Sequence, residues 1–120
     1  MITETKTRRL EPDLTVVEIS GRLSLGNSLL SLETSLQRLI AEGSRKLVID
    51  LAGLSYIDSA AIGVLAACSG QMEQSGGRVR IAGAQGLVAK TFALVHMDRI
   101  APLDADVQTA CRHLSAAGGD

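Results

Sequence analysis

Lys46-Leu-Val-Ile-Asp-Leu-Ala-Gly-Leu-Ser-Tyr-Ile-Asp-Ser-Ala-Ala-Ile-Gly-Val-Leu65 is the stretch that decides the fold. Its opening run, Leu47–Ile49, is continuously apolar, as in a strand buried on both faces of a parallel sheet. A loop over Ala52–Ile57 follows. Asp58-Ser59 then opens a helix expected to run to about Gln74, closed by Gly76-Gly77. Strand, short loop and helix in this order make one half of a parallel crossover unit.

Upstream, residues 6–11 and 14–20 read as two extended segments around Pro12-Asp13, paired as an antiparallel ribbon that Gly21 ends. The β-branched residues of Leu14-Thr-Val-Val-Glu-Ile-Ser20 suit a strand. Asn27 or Ser28 reads as the N-cap of a helix whose Leu29, Leu32, Leu36, Leu39 and Ile40 recur at spacings of three and four. Glu33, Gln37, Arg38 and Glu42 would face water, and Gly43 would end the helix. Downstream, Arg78–Ala82 reads as a strand and residues 86–95 as a short helix. Arg99–Ala101 reads as a last short strand, and Asp104 as the cap of a final helix to about Ser115. The expected order is β-β-α-β-α-β-α-β-α. This is an α/β fold: a mixed sheet with parallel βαβ units and helices packed on it, in one domain over residues 1–120. Its core would span about residues 8–115, with 116–120 a fraying tail.

Composition narrows the function. The chain has 120 residues, is 46% hydrophobic and 21% charged, and carries a formal net charge of −1. No basic stripe suits a polyanion, and aromatics make up only 2%, too few for stacking on bases. Nucleic acid is therefore not an expected partner. Cys68 and Cys111 read as free thiols of a reducing compartment, without the clustered ligands of a metal site. No N-terminal charged-then-apolar signal is present, and no apolar run approaches the roughly 18 residues of a membrane span. A cytoplasmic protein without direct membrane insertion is expected.

The chemistry concentrates at Asp58-Ser59. A helix N-terminus carries free N–H groups and a partial positive charge, so either residue could be there only as a cap. The same physics serves a switch. A phosphate on Ser59 would add roughly −1.5 to −2 charge, which a helix N-terminus tolerates, while Asp58 beside it repels the new charge. Ala60-Ala-Ile-Gly-Val-Leu-Ala-Ala-Cys68 is uncharged on every face. Either both sides of that helix are buried or one awaits a partner, and Ala60, Ala61 and Gly63 are short enough to allow close approach.

The segment Lys46–Leu65 resembles the signature of STAS domains, the family of bacterial anti-sigma factor antagonists. Ile19-Ser-Gly-Arg-Leu23, Gly76-Gly77-Arg-Val-Arg-Ile-Ala-Gly83 and Met97-Asp98-Arg99-Ile100 resemble that family in the same order, over roughly residues 8 to 115. The resemblance implies that Ser59 is phosphorylated by a partner serine kinase that doubles as an anti-sigma factor. The unphosphorylated protein would bind it and free the sigma factor, and a phosphatase would restore that state. It also implies a partner surface of Asp58, Ser59, Ala60 and the early helix, with Ala61, Ile62 and Val64, plus the loop after Gly21. In that loop Ser24 stands where many members have Asp, and Ala60-Ala61 stands where many have Ser or Thr followed by Gly. STAS domains also serve as accessory subunits of lipid-transport complexes, which is the rival reading; a small-molecule or nucleotide sensor is a further one.

Other chemistries are less supported. Ser59 lacks the Gly-x-Ser-x-Gly elbow of a hydrolase nucleophile, so pairing with His96 or His113 is not expected. Gly83-Ala-Gln-Gly86 lacks the pattern of a phosphate loop and reads as a βα turn. The sequence therefore predicts a binding protein rather than an enzyme, without cofactor, as a monomer or as a weak dimer through the apolar helix.

Overall fold

The computed structural model describes the backbone of residues 3–118 and side chains through residue 115. Strands β1 (Glu4–Glu11) and β2 (Leu14–Leu23) form the antiparallel ribbon, with a bulge between Arg9 and Glu11. Next come α1 (Asn27–Ala41), β3 (Lys46–Asp50), β4 (Leu54–Ile57), α2 (Ser59–Gln74), β5 (Arg78–Ala82) and α3 (Gly86–Leu94). A 3₁₀ turn (Met97–Arg99), β6 (Leu103–Asp104) and α4 (Val107–Gly118) complete the described chain.

The sheet runs β1-β2-β3-β5-β6, with β4 paired to β2. Among the described strands, only the β1–β2 pairing is antiparallel. In β3, Leu47 and Ile49 join the cluster beneath α1, α2 and α3, while Val48 faces the cluster beneath α4. Both faces of that strand are covered, which is why Leu47–Ile49 carries no alternation. The large cluster is made by Leu29, Leu32 and Leu36 of α1, Leu65 and Met72 of α2, and Val88 and Phe92 of α3. Leu39 and Ile40 pack at its margin.

Several expectations need correction. Gly21 does not end the second strand: at φ 90° it bends β2 at a register shift, and the strand continues to Leu23. The stretch expected as a loop contains β4, four residues whose pairing partner lies more than thirty positions earlier. Neither Asn27 nor Ser28 caps α1; the N-cap position is Gly26, without a side-chain hydrogen bond. Arg99–Ala101 is not a strand, because the chain turns there, and β6 lies at Leu103–Asp104. Asp104 does not cap the last helix. Asp106 does, accepting the Thr109 N–H at 2.8 Å. Glu33 is only half exposed, in the cleft between α1 and α2. Helical backbone continues through Gly118, where fraying was expected, and Gly119 and Asp120 lie outside the described residues.

The glycine pair after α2 divides its work. Gly76, at φ 84°, makes the left-handed exit of the helix. Gly77 is required by packing: a Cβ there would stand 2.7 Å from the Arg45 carbonyl oxygen, part of the main chain.

Candidate functional site at the start of α2

Pairing of β4 with the far half of β2 sets Leu23 beside Ile57, and the Asp58 N–H donates to the Leu23 carbonyl at 3.2 Å. The β2–α1 loop and the start of α2 therefore lie side by side although they are distant in sequence. Asp58 ties them together. Its backbone is extended, its Oδ1 accepts the Ala61 N–H at 2.9 Å, and its Oδ2 accepts the Leu25 N–H at 2.9 Å. The hydrogen bond from Ala61, helped by that from Leu25, outweighs burial and holds the Asp58 carboxyl below the usual carboxylate range.

Asp58 is thus the N-cap, and Ser59 is the first helical residue, exposed to solvent. The cap role, one of the two open readings of this pair, falls to Asp58 and leaves the Ser59 hydroxyl free of it. Ala60, Ile62 and Val64 are half-buried, Gly63 is exposed, and Ser24 is half-buried in the adjoining loop. Ala61 needs correction as a contact residue: its side chain is fully buried in the core. Ser24, Asp58, Ser59 and Ala60 are brought to one end of the sheet, and Ile62 and Val64 lie further along α2, packed against the core. Sequence reasoning missed Leu25, a loop leucine 75% exposed beside this site. Its only sequence signal is an apolar residue at a helix entry where polar residues are usual.

Replacing Asp58 with alanine removes both bonds at once. The expected loss is about 1 kcal/mol of stability, as for other helix caps. Urea unfolding at pH 7 measures it. Because the folded-state acidity of Asp58 is depressed, its contribution is present above the unfolded pKa and fades as pH falls below about 4. An alanine variant with unaltered stability and unaltered Leu25 amide exchange would contradict the tie.

The other tempting groups lie elsewhere. His113 on α4 meets Asp104, with Nδ1 2.8 Å from Oδ1, on the sheet face opposite α1, α2 and α3. His96 is exposed in a left-handed turn after α3, at φ 56°. Burial pushes the Cys68 thiol up to about 11, away from reactivity. The Gly83–Gly86 turn packs on the chain, with Gln85 Nε2 donating to the Ala52 carbonyl at 2.7 Å. Among the described residues, no three His, Cys, Asp or Glu side chains gather as a metal site, and no helix is long and apolar enough to cross a membrane.

The profile of the family described as STAS domain matches residues 5–110. An anti-sigma factor antagonist from Mycobacterium paratuberculosis superposes with a TM-score of 0.85 at 20% identity, over 95% of each chain. RsbS from Moorella thermoacetica, solved with a serine-to-glutamate change, superposes at 0.82 and 23% identity, over 97% of this chain and 98% of that one. The Bacillus cell fate determinant SpoIIAA in its phosphorylated form superposes at 0.74 and 16% identity, over 92% and 98%. These likenesses are to the fold.

Proposed function

The chain belongs to the STAS domain family, and from that premise we propose that it is an anti-sigma factor antagonist, a protein-binding switch set by Ser59. Unmodified, it binds an anti-sigma factor that is also its serine kinase. Phosphorylated, it releases that partner, and a phosphatase resets it. The protein works in the cytoplasm without catalysis of its own, as one domain over residues 1–120, monomeric or weakly dimeric.

The observation that carries this reading is the division of labour at the start of α2. Asp58 fills the cap, so the exposed Ser59 hydroxyl can be modified without unmaking the helix. The helix N-terminus accommodates the phosphate. The ionised Asp58 carboxylate stands next to it, so the new dianion has a fixed negative neighbour and stays turned to solvent. The names of two structural neighbours agree with such chemistry: one is a phosphorylated form, the other carries glutamate in place of serine.

Phosphopeptide mass spectrometry on the native protein from its own cells tests the reading. Phosphate on the peptide containing Ser59, varying with growth or stress, is the expected result. A well-covered Ser59 peptide without phosphate under all conditions would favour a constitutive binding subunit instead, such as one of a lipid-transport complex.

A further inference from the structure

The surface around Ser59 has an unusual balance of charge and apolarity. Leu23–Leu32 contains no charged residue, and neither does Ser59–Met72. Asp58, which stands between them in space, spends both carboxylate oxygens on main-chain N–H groups. Around this one hydrogen-bonded carboxylate Leu25 is 75% exposed, and Leu30, one helical turn beyond Gly26, is 56% exposed.

Leu25 is also held in place. Its N–H is fixed by Asp58 Oδ2 at 2.9 Å, through the same carboxylate that caps the helix carrying Ser59. Its neighbour Gly26, at φ 156°, has nothing within 4 Å of a would-be Cβ, and the exposed Gly63 likewise has open space around it. An apolar side chain is therefore presented on an ordered loop, with free room beside it and beside Ser59. Among the described residues, none covers it.

We propose that Leu25 is the apolar anchor by which the protein partner reads the unmodified Ser59 surface, seated in an uncharged apolar pocket of that partner; this rests on the reading of Ser59 as phosphate acceptor. An anchor carried on a backbone already held in place leaves only its side chain to be ordered on binding. The anchor also explains refusal of the modified form. Seating Leu25 excludes water from its surroundings, and a phosphate on Ser59 would have to be dehydrated along with it.

The test uses the serine kinase that co-purifies with the Ser59→Ala protein from native cells, purified and titrated calorimetrically against wild type, Leu25→Ala, Leu25→Met and Ser59→Glu. Leu25→Ala should weaken binding at least about tenfold, and Leu25→Met, which keeps apolar bulk, should hold it within about threefold. Melting temperatures should coincide, because the side chain is exposed. Leu25→Ala binding within about twofold of wild type overturns the anchor, as does a loss of binding that tracks a lower melting temperature. Loss with Ser59→Glu but not with Leu25→Ala removes the anchor and leaves the switch. Full binding by Ser59→Glu, or the absence of any such kinase, removes the switch and the anchor with it.

Discussion

Asp104→Asn should lower the stability of the protein by about 2–3 kcal/mol. The Asp104 side chain is only 3% exposed, yet it accepts Arg80 through two bonds, Nε to Oδ2 at 2.6 Å and Nη2 to Oδ1 at 3.1 Å. His113 of α4 adds a third contact at 2.8 Å. Asparagine keeps the shape but turns an amide donor toward donors, and it leaves the guanidinium without a counter-charge. Arg80 keeps 22% of its side chain in water, so solvent screens part of the loss, and the expected effect falls below that of a fully buried pair. The network joins β5, β6 and α4, and α4 otherwise rests on a small cluster around Ala110 and Leu114. Its docking should therefore loosen first.

The same substitution has a signature in acid. Burial works against the Asp104 charge, but the bonds from Arg80 and His113 outweigh it and hold the carboxyl below its usual range. A depressed folded-state pKa means stability that is present above the unfolded value, about 3.9, and lost as pH falls through the folded one. Wild type should lose this contribution as pH falls below about 4, and the asparagine protein has none to lose there. Urea midpoints across that range measure the difference. Parallel pH profiles, or a loss below about 1 kcal/mol at pH 7, would show that the ion network adds little beyond packing.

Ser59→Glu should cut affinity for the proposed kinase partner by about 100-fold, equivalent to about 2.8 kcal/mol, while leaving the fold at least as stable as wild type. The two effects separate because they arise on opposite sides of one residue. Toward the protein, a carboxylate in the first turn of α2 meets the free N–H groups and positive end of a helix whose first turn has no acidic residue of its own. Toward the partner, it adds a second negative charge beside the Asp58 carboxylate, on a surface that must be dehydrated on docking. Ser59→Ala should retain binding and resist release, because it adds no charge and removes the acceptor hydroxyl. Calorimetric titration with thermal melts of all three proteins decides the matter. A Ser59→Glu protein that binds like wild type, or that loses binding only because it melts early, would remove the charge switch.

Residues whose partners lie nearby in the chain were read well from sequence. The apolar stripe Leu29, Leu32, Leu36 declares a helix with one buried face, because its spacing is a property of local geometry. The run Leu47–Ile49 declares a strand covered on both sides, because no face had to be polar. Asp58-Ser59 announced a helix start and a place for charge, because free N–H groups attend any helix N-terminus. Where pairing was remote, the reading failed. β4 exists only because β2 runs on past Gly21 to meet it, and Leu54-Ser-Tyr-Ile57 by itself is too short to declare a strand. Asp104 looks like a helix cap in sequence, but it is claimed by Arg80, 24 positions earlier, and the cap passes to Asp106.

The candidate site divides in the same way. Periodicity, turn chemistry and the local demands of helix ends determined the layered α/β architecture, the helix that begins at Ser59 and the uncharged character of its early turns. Tertiary structure alone decided which of those residues a partner can touch. It buried Ala61, left Ser59 exposed, and set Leu25 beside Ser59 through a carboxylate shared between the β2–α1 loop and the first turn of α2. The physical reason is that helix caps and apolar periods are settled within a few residues of chain. Exposure, and contact between segments thirty residues apart, are settled only when the β2–β4 pairing brings the two segments together.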